Sequence, residues 1–186
     1  MEKQLKNLKV AIIVADGFEQ VEMTEPRKAL EEAGAKTTLI SIKDGLVKGW
    51  NQTEWGNEFT VDKTIDQVKP DEFNALLLPG GVMNPDKLRA DQNVLKFVKT
   101  FVESGKPVAS ICHGPWTLAE AGVLKGKKVT SYHSIKTDLI NAGANWVDEP
   151  VVVDQGLVTS RKPDDIPQFN KKMLEEFAEV VHAVKH

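Results

Sequence analysis

The sequence predicts a doubly wound α/β sheet, and three observations predict it. Three short apolar runs, KVAIIVADG (9–17), NALLLPGG (74–81) and KPVASICHG (106–114), each close on Gly or a turn signal. Continuous apolar runs of this length suit strands buried on both faces, as in a parallel sheet. Helix-like stretches lie between them, and alternation of strand and helix is the pattern of that architecture. The chain's 186 residues, with 41% hydrophobic and 27% charged side chains, suit one compact domain over 1–186 that needs no disulfide or metal to hold it.

The elements follow in order. The run at 9–17 reads as the first strand. A helix covers 27–33 and closes at Gly34, with Pro26 near its start. AKTTLISI (35–42) is a strand candidate. The segment 47–62, with Trp50, Trp55, Gly49 and Gly56, reads as an excursion outside the sheet. A helix covers 93–103 and closes at Gly105; Val94, Phe97, Val98 and Phe101 form its apolar stripe. KKVTS (127–131) reads as a fifth strand, and VVVD with LVTSR as a hairpin turned at Gln155-Gly156. A final helix runs from 168 to about 184 and places Phe169, Met173, Leu174, Phe177, Val180 and Val181 on one side.

Composition narrows the function. Lys and Arg total 24 against 27 Asp and Glu, a net charge of -3, which offers no footprint for nucleic acid or acidic lipid. One cysteine, Cys112, excludes an internal disulfide, a CxxC redox pair and a multi-cysteine zinc site. The first apolar stretch is too short for a signal or membrane segment, so a cytoplasmic location is expected. GxGxxG, GxxxxGK[ST], HExxH and GxSxG do not occur, which argues against dinucleotide, P-loop, zincin and serine-hydrolase chemistry. His133, His182 and His186 have no metal-like spacing, and the last two decorate the terminal helix.

In open α/β sheets, ligands bind beyond the carboxyl ends of the strands. That rule brings three segments to one rim: DGFEQVE (16–22), the Gly80-Gly81 turn with Asp86 after it, and Cys112-His113-Gly114. Cys112 lies between an apolar strand and a helix opening at Pro115. A tight strand-to-helix turn would point its side chain out of the sheet, with a helix N-terminus behind it to favour the thiolate. A buried structural cysteine is the competing reading. Gly114 would permit the tight turn. His113 is adjacent to Cys112, and neighbouring residues seldom point the same way, so it reads as an orienting or interface group rather than the base. Glu19 and Glu22, three apart, share one helical face. A carboxyl beside a thiolate is pushed toward its protonated form and can then donate to sulfur, with Glu22 the first choice and Glu19 the second. Amides of Gly80 and Gly81 suit an oxyanion.

These motifs are recognisable together. ASICHGP (109–115), ALLLPGG (75–81), DGFEQVE (16–22), INAGANWVDE (140–149) and VVVD with LVTSRKPDD (151–165) resemble the PfpI family, also called protease I or general stress proteins. The superfamily also contains the parkinsonism-associated protein deglycase. The resemblance implies a flavodoxin-like sandwich, with a mostly parallel sheet and helices on both faces. It also implies Cys112 as nucleophile, Glu22 as the acid that contacts it, Glu19 and His113 as neighbours, and no metal or cofactor. Relatives form homodimers or higher homo-oligomers in which an acidic residue of a second subunit approaches the histidine, and Asp86 is the counterpart here. Trp116 stands where many relatives have Gln and would reshape the pocket mouth, and the loop from Trp50 to Trp55 is longer than in the archaeal peptidases. The expected function is a cofactor-free stress-protection enzyme acting on α-oxoaldehydes such as methylglyoxal, or on their early protein adducts. An intracellular cysteine peptidase acting on peptides, and a redox-sensing or chaperone-like stress protein using an oxidisable Cys112, are the alternatives.

Overall fold

The computed structural model describes residues 3–184, with side chains to residue 181. The His182 side chain and all of His186 lie outside the described residues. The chain alternates through β1 (Lys9–Ile13), β2 (Phe18–Glu19), α1 (Gln20–Glu32), β3 (Lys36–Ser41), β4 (Leu46–Asn51), β5 (Glu54–Thr60), β6 (Lys63–Thr64) and β7 (Ala75–Leu78). It continues through α2 (Met83–Leu88), α3 (Gln92–Glu103), β8 (Val108–Ile111), α4 (Pro115–Glu120), β9 (Lys128–Val129), α5 (Lys136–Asn141), β10 (Asn145–Trp146), β11 (Val151–Asp154), β12 (Leu157–Ser160) and α6 (Ile166–Val184).

The central sheet has the strand order β11-β12-β8-β7-β1-β3-β6. Its pairings are parallel except for β11 against β12. Alternate residues of β1 and of the two positions after it feed two separate cores, which is why the run is continuously apolar. Val10, Ile12 and Val14 pack with Met23 and Leu30 of α1 and with Phe169, Met173 and Phe177 of α6. Ala11, Ile13 and Ala15 face the other way, with Val94, Phe97 and Phe101 of α3 and Leu118 of α4. Each layer removes large side chains completely from water, at roughly 1.5–3 kcal/mol apiece. Among the described residues no helix is long and apolar enough to cross a membrane.

Several elements behave as their residues dictate. Asp91 caps α3 by accepting from the amides of Asn93 and Val94. Gln155 and Gly156 both take positive φ, 50° and 80°, the left-handed pair a two-residue hairpin turn requires. The excursion at 47–62 is a hairpin of β4 and β5 joined by β2 in a small sheet of its own.

Two expectations are corrected. The first helix starts at Gln20, not near residue 27, so Pro26 sits inside it. Pro26 has no N–H to give the Glu22 carbonyl one turn back, yet burial of Met23, Pro26 and Leu30 holds the helix through that gap. Residues 127–131 do not add a strand to the central sheet: β9 pairs with β10 in a separate two-stranded ribbon.

Candidate active site

The carboxyl ends of β1, β7 and β8 converge on a cavity of about 590 Å³. Its wall includes Glu19 and Glu22 from the β1 side, Gly81 and Met83 after β7, and Cys112 and His113 after β8. The β4–β5 hairpin adds Trp50 and Gln52, because β2 pairs with β4 and sets Glu19 opposite Trp50.

Cys112 follows directly on β8 and adopts φ 64°, a left-handed conformation that a side-chain-bearing residue takes only at a cost of about 1–2 kcal/mol. Its own amide donates to the Ser160 carbonyl at 3.0 Å, and its carbonyl accepts from the Tyr132 amide at 2.9 Å, so packing over-determines the turn. The side chain is 7% exposed, at the floor of the cavity. Gly114 does not supply the unusual backbone; its φ is -49°. Glycine is needed there for space instead, since a Cβ would stand 2.6 Å from the Leu78 carbonyl oxygen.

Glu22, on the first turn of α1, is fully buried and lies against the Cys112 thiol. Its Oε1 accepts from the Gly80 amide at 3.1 Å, and Oε2 has no well-formed hydrogen bond. Gly80 fits between the carboxyl and the thiol: a Cβ there would come within 2.6 Å of Glu22 Oε1 and 2.8 Å of Cys112 Cβ. Burial, and next the nearby Glu19 charge, push the Glu22 carboxyl up to about 8. It is therefore protonated near neutral pH and can act as a donor. Glu19 is also raised by burial; its Oε1 accepts from the Gln52 amide at 3.1 Å.

The thiol departs from expectation. Burial, and after it the Glu22 charge, raise Cys112 above the ordinary thiol range, and the amides of Gly81 and His113 oppose this without overcoming it. A helix start alone does not ionise the sulfur in this dry setting. The pair is best regarded as one coupled group whose protons are held tightly by a shared low-dielectric environment.

His113 is a second correction. Its Nδ1 lies 3.2 Å from Cys112 Sγ, so the two adjacent side chains do meet. The left-handed turn at Cys112 brings them to the same side. Nε2 contacts Ser134 Oγ at 3.2 Å, and the ring stacks on Tyr132 with centroids 4.8 Å apart. Burial, and next His133, lower His113 to about 4, so the ring is neutral at physiological pH. Trp116 packs behind His113 at 5.2 Å and donates its indole N–H to Asp138, away from the cavity wall. Asp86 is on the exposed side of α2 and does not line the cavity of its own chain.

The oxyanion amides also differ in part. The amides of Gly80, Cys112 and Gly114 are taken by Glu22, Ser160 and Ile111. That leaves the amide of His113, directed at the sulfur, and that of Gly81, shared between the sulfur and the Glu22 carboxyl. Sequence reading passed over Tyr132, Ser134 and Asn84. The glycine-flanked turn before Asn84 is the one local signal that could have marked any of them.

This constellation of a cysteine in a left-handed turn, a buried carboxyl and a twin-glycine loop sits in a chain that matches the DJ-1/PfpI family over residues 8–176. The chain belongs to the DJ-1/PfpI family. It is 50% identical over 168 residues to General stress protein 18 of Bacillus subtilis (strain 168), covering 89% of this chain and 95% of the relative. It is 46% identical over 168 residues to Protein/nucleic acid deglycase 2 of Escherichia coli (strain K12), again covering 89% and 95%. The crystal structure of Drosophila melanogaster DJ-1beta superposes with a TM-score of 0.82 at 30% identity, covering 96% of this chain and 97% of that one. Within the DJ-1/PfpI family this chain has the flavodoxin-like fold, with the mostly parallel sheet flanked by helices.

Proposed function

We propose that this chain is a cysteine-dependent stress-protection enzyme of the glyoxalase or deglycase type, acting on α-oxoaldehydes such as methylglyoxal or on their early protein adducts. The contact between Cys112 and a buried, protonated Glu22 carries the reading. The names of the stress-protein and deglycase relatives support it. A cavity of about 590 Å³ with its sulfur at the floor has room for a small molecule or a modified side chain rather than an extended peptide.

The reaction runs as a set of balanced proton transfers. Cys112 sulfur attacks the aldehyde carbon while its proton passes to His113 Nδ1, 3.2 Å away. Glu22 protonates the aldehyde oxygen, giving a hemithioacetal and leaving Glu22 as a carboxylate. That carboxylate removes the C–H proton of the same carbon, and His113 returns its proton to the neighbouring carbonyl oxygen, forming an enediol. Glu22 delivers the proton to the second carbon as His113 takes the first hydroxyl proton, which makes a thioester. Water then cleaves the thioester: its proton restores Glu22, and His113 reprotonates the sulfur. The sum is methylglyoxal plus water giving lactate. General acid–base steps of this kind contribute roughly 10²–10⁴-fold each. Ser134 on Nε2 and the Tyr132 stack hold the ring for these transfers.

Product analysis after incubation with methylglyoxal tests the proposal. The parent yields lactate and Cys112→Ala yields none above the uncatalysed level. Conversion that survives in Cys112→Ala refutes it.

A further inference from the structure

Asn84 is a completely buried polar side chain that the chemistry above does not use. Its amide orientation is fixed by its partners. Oδ1 accepts from the Ala15 amide at 2.7 Å, while Nδ2 donates to the carbonyls of Pro79 and Gly80, each at 3.0 Å. Both amide hydrogens are used, and a flipped amide would set its oxygen against two carbonyls. These bonds tie the end of β1 to the turn after β7. A weaker link, from the Glu19 amide to the same Gly80 carbonyl at 3.3 Å, reinforces the tie.

The clamped turn is the one that faces the reactive pair. The Gly80 amide meets Glu22 Oε1 at 3.1 Å, and the Gly81 amide faces the Cys112 sulfur. Gly81 has φ 79°, and a Cβ on it would lie 2.6 Å from the Glu19 amide nitrogen, so the turn has one narrow seat. Peptide dipoles stabilise an anion only at short, aligned range, which makes the position of this turn a chemical variable.

We propose that Asn84 is a positioning residue that holds the Gly80 and Gly81 amides on the carboxyl and the sulfur and so sets the reactivity of Cys112. The proposal rests on the reading of Cys112 as nucleophile, and it extends that reading to a residue outside the cavity wall. Without the clamp the turn relaxes, the anionic form of the pair loses donors, and sulfur ionises at higher pH.

The test uses the chain's single cysteine, whose alkylation by iodoacetamide reads Cys112 alone. Rates are followed against pH for the parent, Asn84→Ala and Asn84→Ser, with melting temperature and the methylglyoxal kcat and KM measured alongside. The expected result is an alkylation midpoint displaced upward by about one pH unit in Asn84→Ala, a rate near neutrality lowered about tenfold, and a smaller displacement in Asn84→Ser. The kcat falls while KM holds. A lowered melting temperature with the parent's alkylation profile overturns the proposal and leaves Asn84 a structural role. Where Asn84→Ala does not fold, Asn84→Ser decides, and a parent-like profile there overturns the proposal. An upward displacement supports it even if the parent makes no lactate, an outcome that would count against the proposed reaction alone.

Discussion

Replacing Glu22 by Gln isolates the buried carboxyl with little change of shape, since the amide oxygen can still accept from the Gly80 N–H. Glu22 titrates at about 8 in the fold against an ordinary value of 4.5. The folded state therefore holds this proton more tightly than the unfolded chain does. The stability it contributes is complete below the unfolded value of 4.5 and is lost as pH rises through about 8. At about 1.36 kcal/mol per pH unit the whole contribution is about 5 kcal/mol, of which about 3.5 kcal/mol disappears between about pH 5 and about pH 8. Urea unfolding followed by tryptophan fluorescence at those two pH values supplies the comparison. The difference between parent and Glu22→Gln cancels the titrating groups remote from residue 22, as well as any constant change in packing, and leaves the carboxyl together with the neighbours it couples to. The parent should lose about 3.5 kcal/mol more than the variant across the window. A difference that stays flat with pH would mean that Glu22 is ionised throughout and would remove the acid from the mechanism.

Other consequences are equally direct. Because Cys112 holds φ 64°, Cys112→Gly should unfold with about 1 kcal/mol more stability than Cys112→Ala, with urea denaturation as the check; equal stabilities would contradict the strained turn. Gly80→Ala would place a Cβ 2.6 Å from both Glu22 Oε1 and the Ile111 carbonyl oxygen, so a loss of about 1–3 kcal/mol and slowed Cys112 alkylation are expected. An alanine variant with parent-like stability and alkylation would show that the turn is not tightly seated.

Much of the architecture is legible in local sequence. The apolar runs of β1, β7 and β8 identify themselves because both faces are buried, and the carboxyl-end rule alone brings Glu19, Glu22, Gly81 and Cys112 to one rim. The start of α1 is hidden because Pro26 imitates a first-turn proline, while the real start, Gln20, has no side-chain cap. The ribbon of β9 and β10 is decided by a long-range pairing that a five-residue run does not encode. Cys112 and His113 meet because of one backbone torsion, which residue adjacency by itself argues against. Ser134 acts through a partner 21 residues away, which no periodicity or motif marks. Asn84, although next to a glycine turn it bonds locally, owes its role to Ala15, 69 residues away.

Native intact-mass analysis of Glu22→Gln in the presence of methylglyoxal probes the bond on which the proposed chemistry turns. Cys112→Ala serves as the blank for adducts on other side chains. In Glu22→Gln the proton that His113 takes from the thiol can pass on to the aldehyde oxygen, so the sulfur still attacks while no carboxyl carries the reaction forward. The predicted result is a methylglyoxal adduct on Cys112 and no lactate. Lactate formed at the parent rate, or a Cys112 that stays unmodified, would contradict the pairing of this sulfur with this acid.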